Sequence, residues 1–311
     1  MNFLYIISGL FLLIIGGNWL LKAAVGLSLK LNIPKIVIGM TVVSFATSAP
    51  ELIVSIRSAL DGFPDLALGN VIGSNIANLG LVLGITVVLS KIDVEKSLYR
   101  TDWPVMMVAS GLLYYFLAQD GKIEFYEGAI LFLFLIIFLV YLFRFQKNIV
   151  VDEIPEDEDQ LSAVKIVLFV TIGGVGLWAG SELLIKGAVA LATDFGVSER
   201  VIGVTVVSVG TSIPELAASI IAVLKKEKAI SLGNLIGSNV FNILAVLGIT
   251  SMITPIELKD IALLNYDIFW MLGISFLVLP LVFFPKKLRL DWRHGIVLLV
   301  LYAIFIITTL T

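Results

Sequence analysis

The chain contains no cysteine and a single histidine, and only 14% of its 311 residues are charged. Without thiols there are no disulfides, no thiolate metal sites and no cysteine nucleophile. The one imidazole, His294, sits in a basic stretch before the last apolar run and is expected to be a solvated loop residue. No G-x-x-x-x-G-K-S/T phosphate loop occurs, which argues against an ATP-driven pump. What remains is apolar: 59% of the residues are hydrophobic and the mean hydropathy is +1.05. A single soluble core cannot hide that much apolar surface, so a soluble enzyme, a disulfide-stapled secreted domain and a nucleic-acid binder are excluded. The net charge of -3 says little about partners, because the charges sit in the loops.

A bilayer-spanning helix needs about 20 mostly apolar residues. Ten such runs are predicted, near 3–30, 35–60, 66–90, 103–119, 124–144, 162–192, 199–224, 229–253, 263–284 and 292–310, and strands are not needed. The first run lacks a basic leader and a small-residue cleavage site and is read as a helix, not a signal. With Lys22 and Lys186 left out because they lie within long helices, Lys and Arg divide 15 to 4 between the two faces, the poorer face holding Arg57, Lys122, Arg200 and Lys259. That bias places both termini outside the cell membrane. Residues 148–164 carry VDEIPEDEDQ, which reads as an acidic, solvated cytoplasmic linker.

The chain repeats itself. A shift of 164 residues superimposes VIGMTVVSFATSAPELIVSI (37–56) on VIGVTVVSVGTSIPELAASI (201–220), and LGNVIGSNIANLGLVLGIT (68–86) on LGNLIGSNVFNILAVLGIT (232–250). The same shift is expected to map 1–147 onto 165–311. Five helices per copy is an odd number, so the second copy must enter the membrane from the opposite side. The fold class is therefore all-α integral membrane, with ten transmembrane helices in two inverted five-helix repeats, an architecture that puts binding sites at the midplane between the copies.

Two carboxylates, Glu51 and Glu215, fall in the middle of apolar runs. A carboxylate at that depth costs about 3 kcal/mol or more and must face a polar cavity, a counter-ion or a bound cation. Each follows a proline, and Pro50 and Pro214 remove the amide donors that would have served the carbonyls of Ala46 and Gly210. Those carbonyls are expected to become free ligands. Around them Ser44, Thr47, Ser48 and Ser55, matched by Ser208, Thr211, Ser212 and Ser219, share a helical face with the glutamates. Asn70, Ser74 and Asn78, matched by Asn234, Ser238 and Asn242, form a second stripe. Gly69, Gly73, Gly233 and Gly237 are expected to let these helices approach closely. A donor set of carboxylate, hydroxyl, amide and backbone oxygen suits hard cations such as sodium and calcium. Lys22 and Lys186 are the alternative counter-ions, although both sit toward helix ends.

At these residues the sequence resembles the cation/calcium exchanger superfamily, most of all its prokaryotic sodium/calcium exchangers. The motifs stand as ATSAPE (46–51), GSNIAN (73–78), GTSIPE (210–215) and GSNVFN (237–242), and the ten-helix plan covers the whole chain. The resemblance implies calcium between Glu51 and Glu215, helped by the backbone oxygens of Thr47 and Thr211. It implies sodium sites at Ser48 and Ser74 with the Ser44 carbonyl, and at Ser212 and Ser238 with the Ser208 carbonyl. A middle site would be flanked by Asn78 and Asn242. Helices 1 and 6 would slide against the other eight. Two departures stand out: Ala46 replaces the usual glycine, and Asn242 stands where potassium-dependent relatives carry aspartate. The implied activity is electrogenic sodium/calcium antiport with no cofactor and no ATP, its partners being the two ions and the lipid bilayer, and a monomer sufficing. Proton/calcium exchange is the alternative within transport, since desolvated carboxylates can bind protons; a cation channel is the alternative outside it.

Overall fold

The computed structural model describes residues 2–145, 161–194 and 210–310. Most of the acidic linker therefore lies outside the described residues, as does Ser208. The helices are α1 Asn2–Leu31, α2 Lys35–Thr47, α3 Ala49–Leu60, α4 Pro64–Leu89, α5 Trp103–Asp120 and α6 Phe125–Phe145, then α7 Ala163–Asp194, α8 Ile213–Leu224, α9 Lys228–Ile253, α10 Leu263–Phe283 and α11 Trp292–Leu310. Among the described residues, seven helices are long and apolar enough to cross a bilayer, and α2 with α3, bent by 44° at Ser48, makes an eighth. Two expected spans fall short of that count for local reasons. Helix α5 begins at Trp103-Pro104 and ends on Gln119-Asp120, and α8 is 12 residues long because it starts after Ser212, while most of the expected span before it lies outside the described residues.

Burial separates two kinds of helix. In α4 and α9, 78% and 83% of the spanning window is buried, against 28% in α6 and 22% in α7. Side chains such as Phe11, Ile137 and Val167 stand exposed on the latter kind, as lipid contact requires. Helices α4 and α9 can therefore carry polar residues that lipid would reject.

The chain divides into two compact units, Met1–Thr47 with Leu142–Asn234, and Ser48–Tyr141 with Leu235–Thr311. Each unit draws on both sequence repeats. In the first, α1 and α7 pack backbone to backbone. A Cβ on Gly9 would lie 2.8 Å from the Gly180 carbonyl, and one on Gly16 would lie 2.8 Å from the Gly173 carbonyl. Positions that rise along α1 meet positions that fall along α7, so the two helices run antiparallel.

In the second unit, two antiparallel ladders of two residues tie loops together, a feature the helical periodicity alone did not call for. β1 (Ile92–Asp93) pairs with β4 (Arg289–Leu290), and β2 (Lys122–Ile123) pairs with β3 (Ile256–Glu257). Glycines again seat the helices: a Cβ on Gly80 would meet the Tyr302 ring, and one on Gly128 would meet Gly248 and Ser251. The repeat offset is not constant. It is 164 from Ile92 to Ile256, 165 from Leu98 to Leu263 at matched π-helical turns, and 167 from Lys122 to Arg289. Small insertions in the loops of the second copy account for the drift.

His294 is not solvated. It is 4% exposed, its Nδ1 accepts the Asp291 amide at 2.9 Å and its Nε2 bonds the Phe284 carbonyl. Because Nδ1 accepts, Nε2 carries the proton, and the ring fastens the start of α11 to the preceding loop.

Candidate cation site

Each TSxPE segment breaks its helix at the residue before the Ala/Ile-Pro step. Ser48 has φ −87° and ψ 2°, and Ser212 has φ −88° and ψ 3°, so both sit in the bridge region of backbone space. Pro50 and Pro214 then fall in the first turns of α3 and α8, where a missing amide hydrogen costs nothing. Glu51 and Glu215 follow in those same first turns, and both are wholly buried. A carboxylate there meets the positive end of its own helix dipole, which offsets part of the cost of burial.

In the first unit, Ser44 Oγ lies 2.9 Å from the carbonyls of Gly39 and Asn234, and Thr47 Oγ1 donates to Asn234 Oδ1 at 3.2 Å. The Asn234 amide donates in turn to Ser219 Oγ at 3.3 Å, one helical turn beyond Glu215. Close approach makes this possible: a Cβ on Gly39 would lie 2.5 Å from the Ile230 carbonyl, and one on Gly233 would lie 2.3 Å from the Ile36 carbonyl. Ser212 Oγ is buried with no hydrogen-bond partner among the described residues. One expectation fails. The Gly210 carbonyl is not a free ligand, because Ser181 Oγ on α7 donates to it at 2.9 Å.

In the second unit, Asn70 mirrors Asn234: its amide donates to Ser55 Oγ at 3.1 Å and to the Glu51 carbonyl at 3.4 Å. Ser48, Ser74 and Ser238 are buried. Asn78 and Asn242 are wholly buried and each opens a π-helical turn, Asn78–Val82 and Asn242–Leu247. Single wide turns of this kind recur at functional sites. The Oδ1 atoms of both asparagines are buried and accept no hydrogen bond among the described residues. The glycine expectation holds only in part here, since a Cβ on Gly73 would meet nothing within 4 Å.

Helical spacing did not single out Asn75, Asn239 and Ser181. The Asn-x-x-Asn steps 75/78 and 239/242 were a usable signal, since two amides one turn apart in an apolar helix must find each other or a common partner. Lys22 and Lys186 are poor counter-ions for the glutamates: both are exposed, and Lys186 Nζ lies 4.9 Å from the centre of the Tyr5 ring. Lys35, by contrast, pairs with a carboxylate outside the motifs, Glu227 at 2.9 Å.

A multi-span helical chain whose buried polar residues are carboxylates, hydroxyls and amide oxygens defines a membrane protein that handles hard cations. Comparison sharpens this. The family model described as sodium/calcium exchanger protein matches residues 1–144 and 165–311, and the chain belongs to that family. It is 36% identical over 306 residues to the putative antiporter CaxA of Alkalimonas amylolytica, covering 96% of this chain and 95% of that one. It is 28% identical to the sodium/calcium exchanger MaX1 of Methanosarcina acetivorans, covering 98% and 97%. Among solved structures it resembles the sodium-calcium exchanger NCX_Mj soaked with 2.5 mM Na+ and 0.1 mM Ca2+, with a TM-score of 0.82 and 30% identity over 99% of this chain and 98% of that one. The relatives are transporters, and the chain is a cation/calcium antiporter by family rather than an enzyme.

Proposed function

We propose that the chain is an electrogenic sodium/calcium antiporter of the cell membrane, working by alternating access with both termini outside. Its ten spanning helices form two inverted repeats, 1–147 and 165–311, joined by the linker 148–164. The observation that carries this reading is the matched pair of helix breaks at Ser48 and Ser212, each delivering a wholly buried glutamate. Glu51 and Glu215 share calcium with the backbone oxygens of Thr47 and Thr211. Sodium takes Ser48, Ser74 and the Ser44 carbonyl on one side, and Ser212, Ser238 and the Ser208 carbonyl on the other, with Asn78 and Asn242 flanking the middle.

Inversion is supported by reciprocity. Gly9 meets Gly180, the repeat equivalent of Gly16, while Gly16 meets Gly173, the equivalent of Gly9. Such an exchange of partners between antiparallel helices is what a pseudo-two-fold axis in the membrane plane produces. The ladders agree. With ten spans, the loops bearing β1 and β4 both face the cytoplasm and those bearing β2 and β3 both face outside, so each ladder joins loops on one side.

Two carboxylates place a charge of −2 in the pocket, which one calcium or at least two sodium ions balance. An empty pocket would leave buried like charges uncompensated, and so the protein reorients loaded; this favours exchange over uniport. The deciding experiment is calcium-45 uptake into proteoliposomes under an outward sodium gradient, set against an equal proton gradient. Uptake should follow sodium. Uptake indifferent to sodium but driven by protons would replace the proposal with proton/calcium exchange.

A further inference from the structure

We infer that Asn75 and Asn239 are positioning residues that oblige Asn78 and Asn242 to present their amide oxygens, so that this part of the site accepts only a cation or a hydrogen-bond donor. The inference rests on the proposed placement of Asn78 and Asn242 beside the ion and explains how that placement is enforced.

Two backbone carbonyls, which can only accept, set the direction of every later bond. Asn75 Nδ2 donates to the Asn239 carbonyl and Asn239 Nδ2 donates to the Asn75 carbonyl, both at 3.2 Å. Their remaining N–H groups point at sulfur, Asn75 at Met271 Sδ at 3.8 Å and Asn239 at Met106 Sδ at 3.9 Å. Sulfur is a weak acceptor and not a donor in a thioether. With both hydrogens of each NH2 so committed, neither amide can flip, and Oδ1 of each must face the other way. There it meets the next asparagine. Asn78 Nδ2 donates to Asn239 Oδ1 and Asn242 Nδ2 donates to Asn75 Oδ1, both at 3.1 Å. Since those acceptors can take only a donor, Asn78 and Asn242 are fixed as well, and their own Oδ1 atoms are turned to the far side. These are the two buried oxygens that accept nothing else among the described residues. Buried acceptors left open in this way cost about 1–3 kcal/mol each unless a ligand meets them. All six side chains lie in one compact unit and are buried, and each link has its counterpart in the other repeat, so the device was built twice.

A double-mutant cycle isolates the orienting role from mere helix packing. Asn242→Ser keeps an oxygen at the site but on a hydroxyl that rotates freely and needs no orienting partner. Asn75→Ala removes the acceptor that holds the Asn242 amide. In reconstituted full-length protein, the sodium concentration for half-maximal calcium uptake should rise roughly tenfold in Asn75→Ala and by a similar factor in Asn242→Ser. The double variant should be no worse than Asn242→Ser alone, and Asn239→Ala with Asn78→Ser should behave alike. Effects that multiply in the double variants would overturn the inference and assign Asn75 and Asn239 to packing alone. Should Asn242→Ser and Asn78→Ser both leave sodium and calcium dependence untouched, the placement of these amides at the ion fails instead. Where Asn75→Ala does not give a monodisperse protein, Asn75→Ser, which can still donate to the Asn239 carbonyl, carries the same comparison.

Discussion

The two helix breaks share their backbone angles to within a degree and differ in what caps them. In the second repeat the carbonyl released by Pro214, that of Gly210, accepts a hydrogen bond from Ser181 of α7. In the first repeat the equivalent of Ser181 is Gly17, which has no hydroxyl to offer, and the space a Cβ would need there is taken by Ile221 Cδ1 at 2.3 Å. The carbonyl of Ala46 instead lies near Gly174, where a Cβ would come within 3.7 Å of it, an ordinary contact that offers no hydrogen bond. Proline thus sets the break, and the long helices α1 and α7 decide how each freed carbonyl is used. The repeats are equal where the glutamates sit and unequal where the helices proposed to slide make contact.

The largest expected effect tests the equal part. Glu51→Gln and Glu215→Gln each remove one of two charges proposed to bind a divalent ion, and each should cut sodium-driven calcium uptake by about a hundredfold or more. Both variants should still fold, because the replaced group is isosteric and relieves a buried charge. If one variant retained robust exchange while the other lost it, the glutamates would not share a single ion.

Next comes the contact between α1 and α7. Gly16→Leu forces a side chain against the Gly173 carbonyl and the Leu177 amide, both within 2.8 Å of a Cβ, so the antiparallel pair must separate or unfold locally. Calcium turnover should fall by roughly tenfold or more while calcium still raises the melting temperature of the detergent-solubilised protein. Loss of both would mean that the glycine serves stability and not movement. A smaller effect is expected from the prolines. Pro50→Ala and Pro214→Ala return an amide to the helix, and each should reduce affinity for sodium by about threefold to tenfold. The loss should be greater for Pro50→Ala, since no serine of the long helices competes for the Ala46 carbonyl among the described residues.

Much of this was legible in the sequence because repetition makes signals additive. One glutamate in an apolar run is ambiguous, but TSAPE and TSIPE stand 164 residues apart as a pair, and the structure buries both Glu51 and Glu215 completely. What spacing could not reach were contacts that depend on three-dimensional crossing. Ser181 stands 29 residues from Gly210 on another helix, and no periodicity links them. His294 looked solvated because its neighbours are charged, yet its ring is buried by hydrogen bonds to Asp291 and Phe284. The ladders pair distant residues, Ile92 with Leu290 and Lys122 with Glu257, in pieces two residues long, too short for any alternation to register. The amide relay was hidden for another reason: it depends on which side of each asparagine faces a backbone carbonyl, and a one-letter code does not record that.

Ser181→Ala bears most directly on the unequal part, and its effect is the smallest. Removing the hydroxyl leaves the Gly210 carbonyl buried without its donor, which costs about 1–3 kcal/mol in whichever state holds that bond. The ion-free protein should therefore melt at a lower temperature. A cation bound near the break can replace the lost donor, so the ion-loaded protein should lose less stability than the empty one. The sign follows by linkage: the calcium-induced rise in melting temperature grows, and apparent calcium affinity improves by about twofold to fivefold. Turnover should slow by a similar factor, because release now exposes an unmet carbonyl. An equal drop in melting temperature with and without calcium would show that the carbonyl never faces the ion and that Ser181 only fastens α7 to the break.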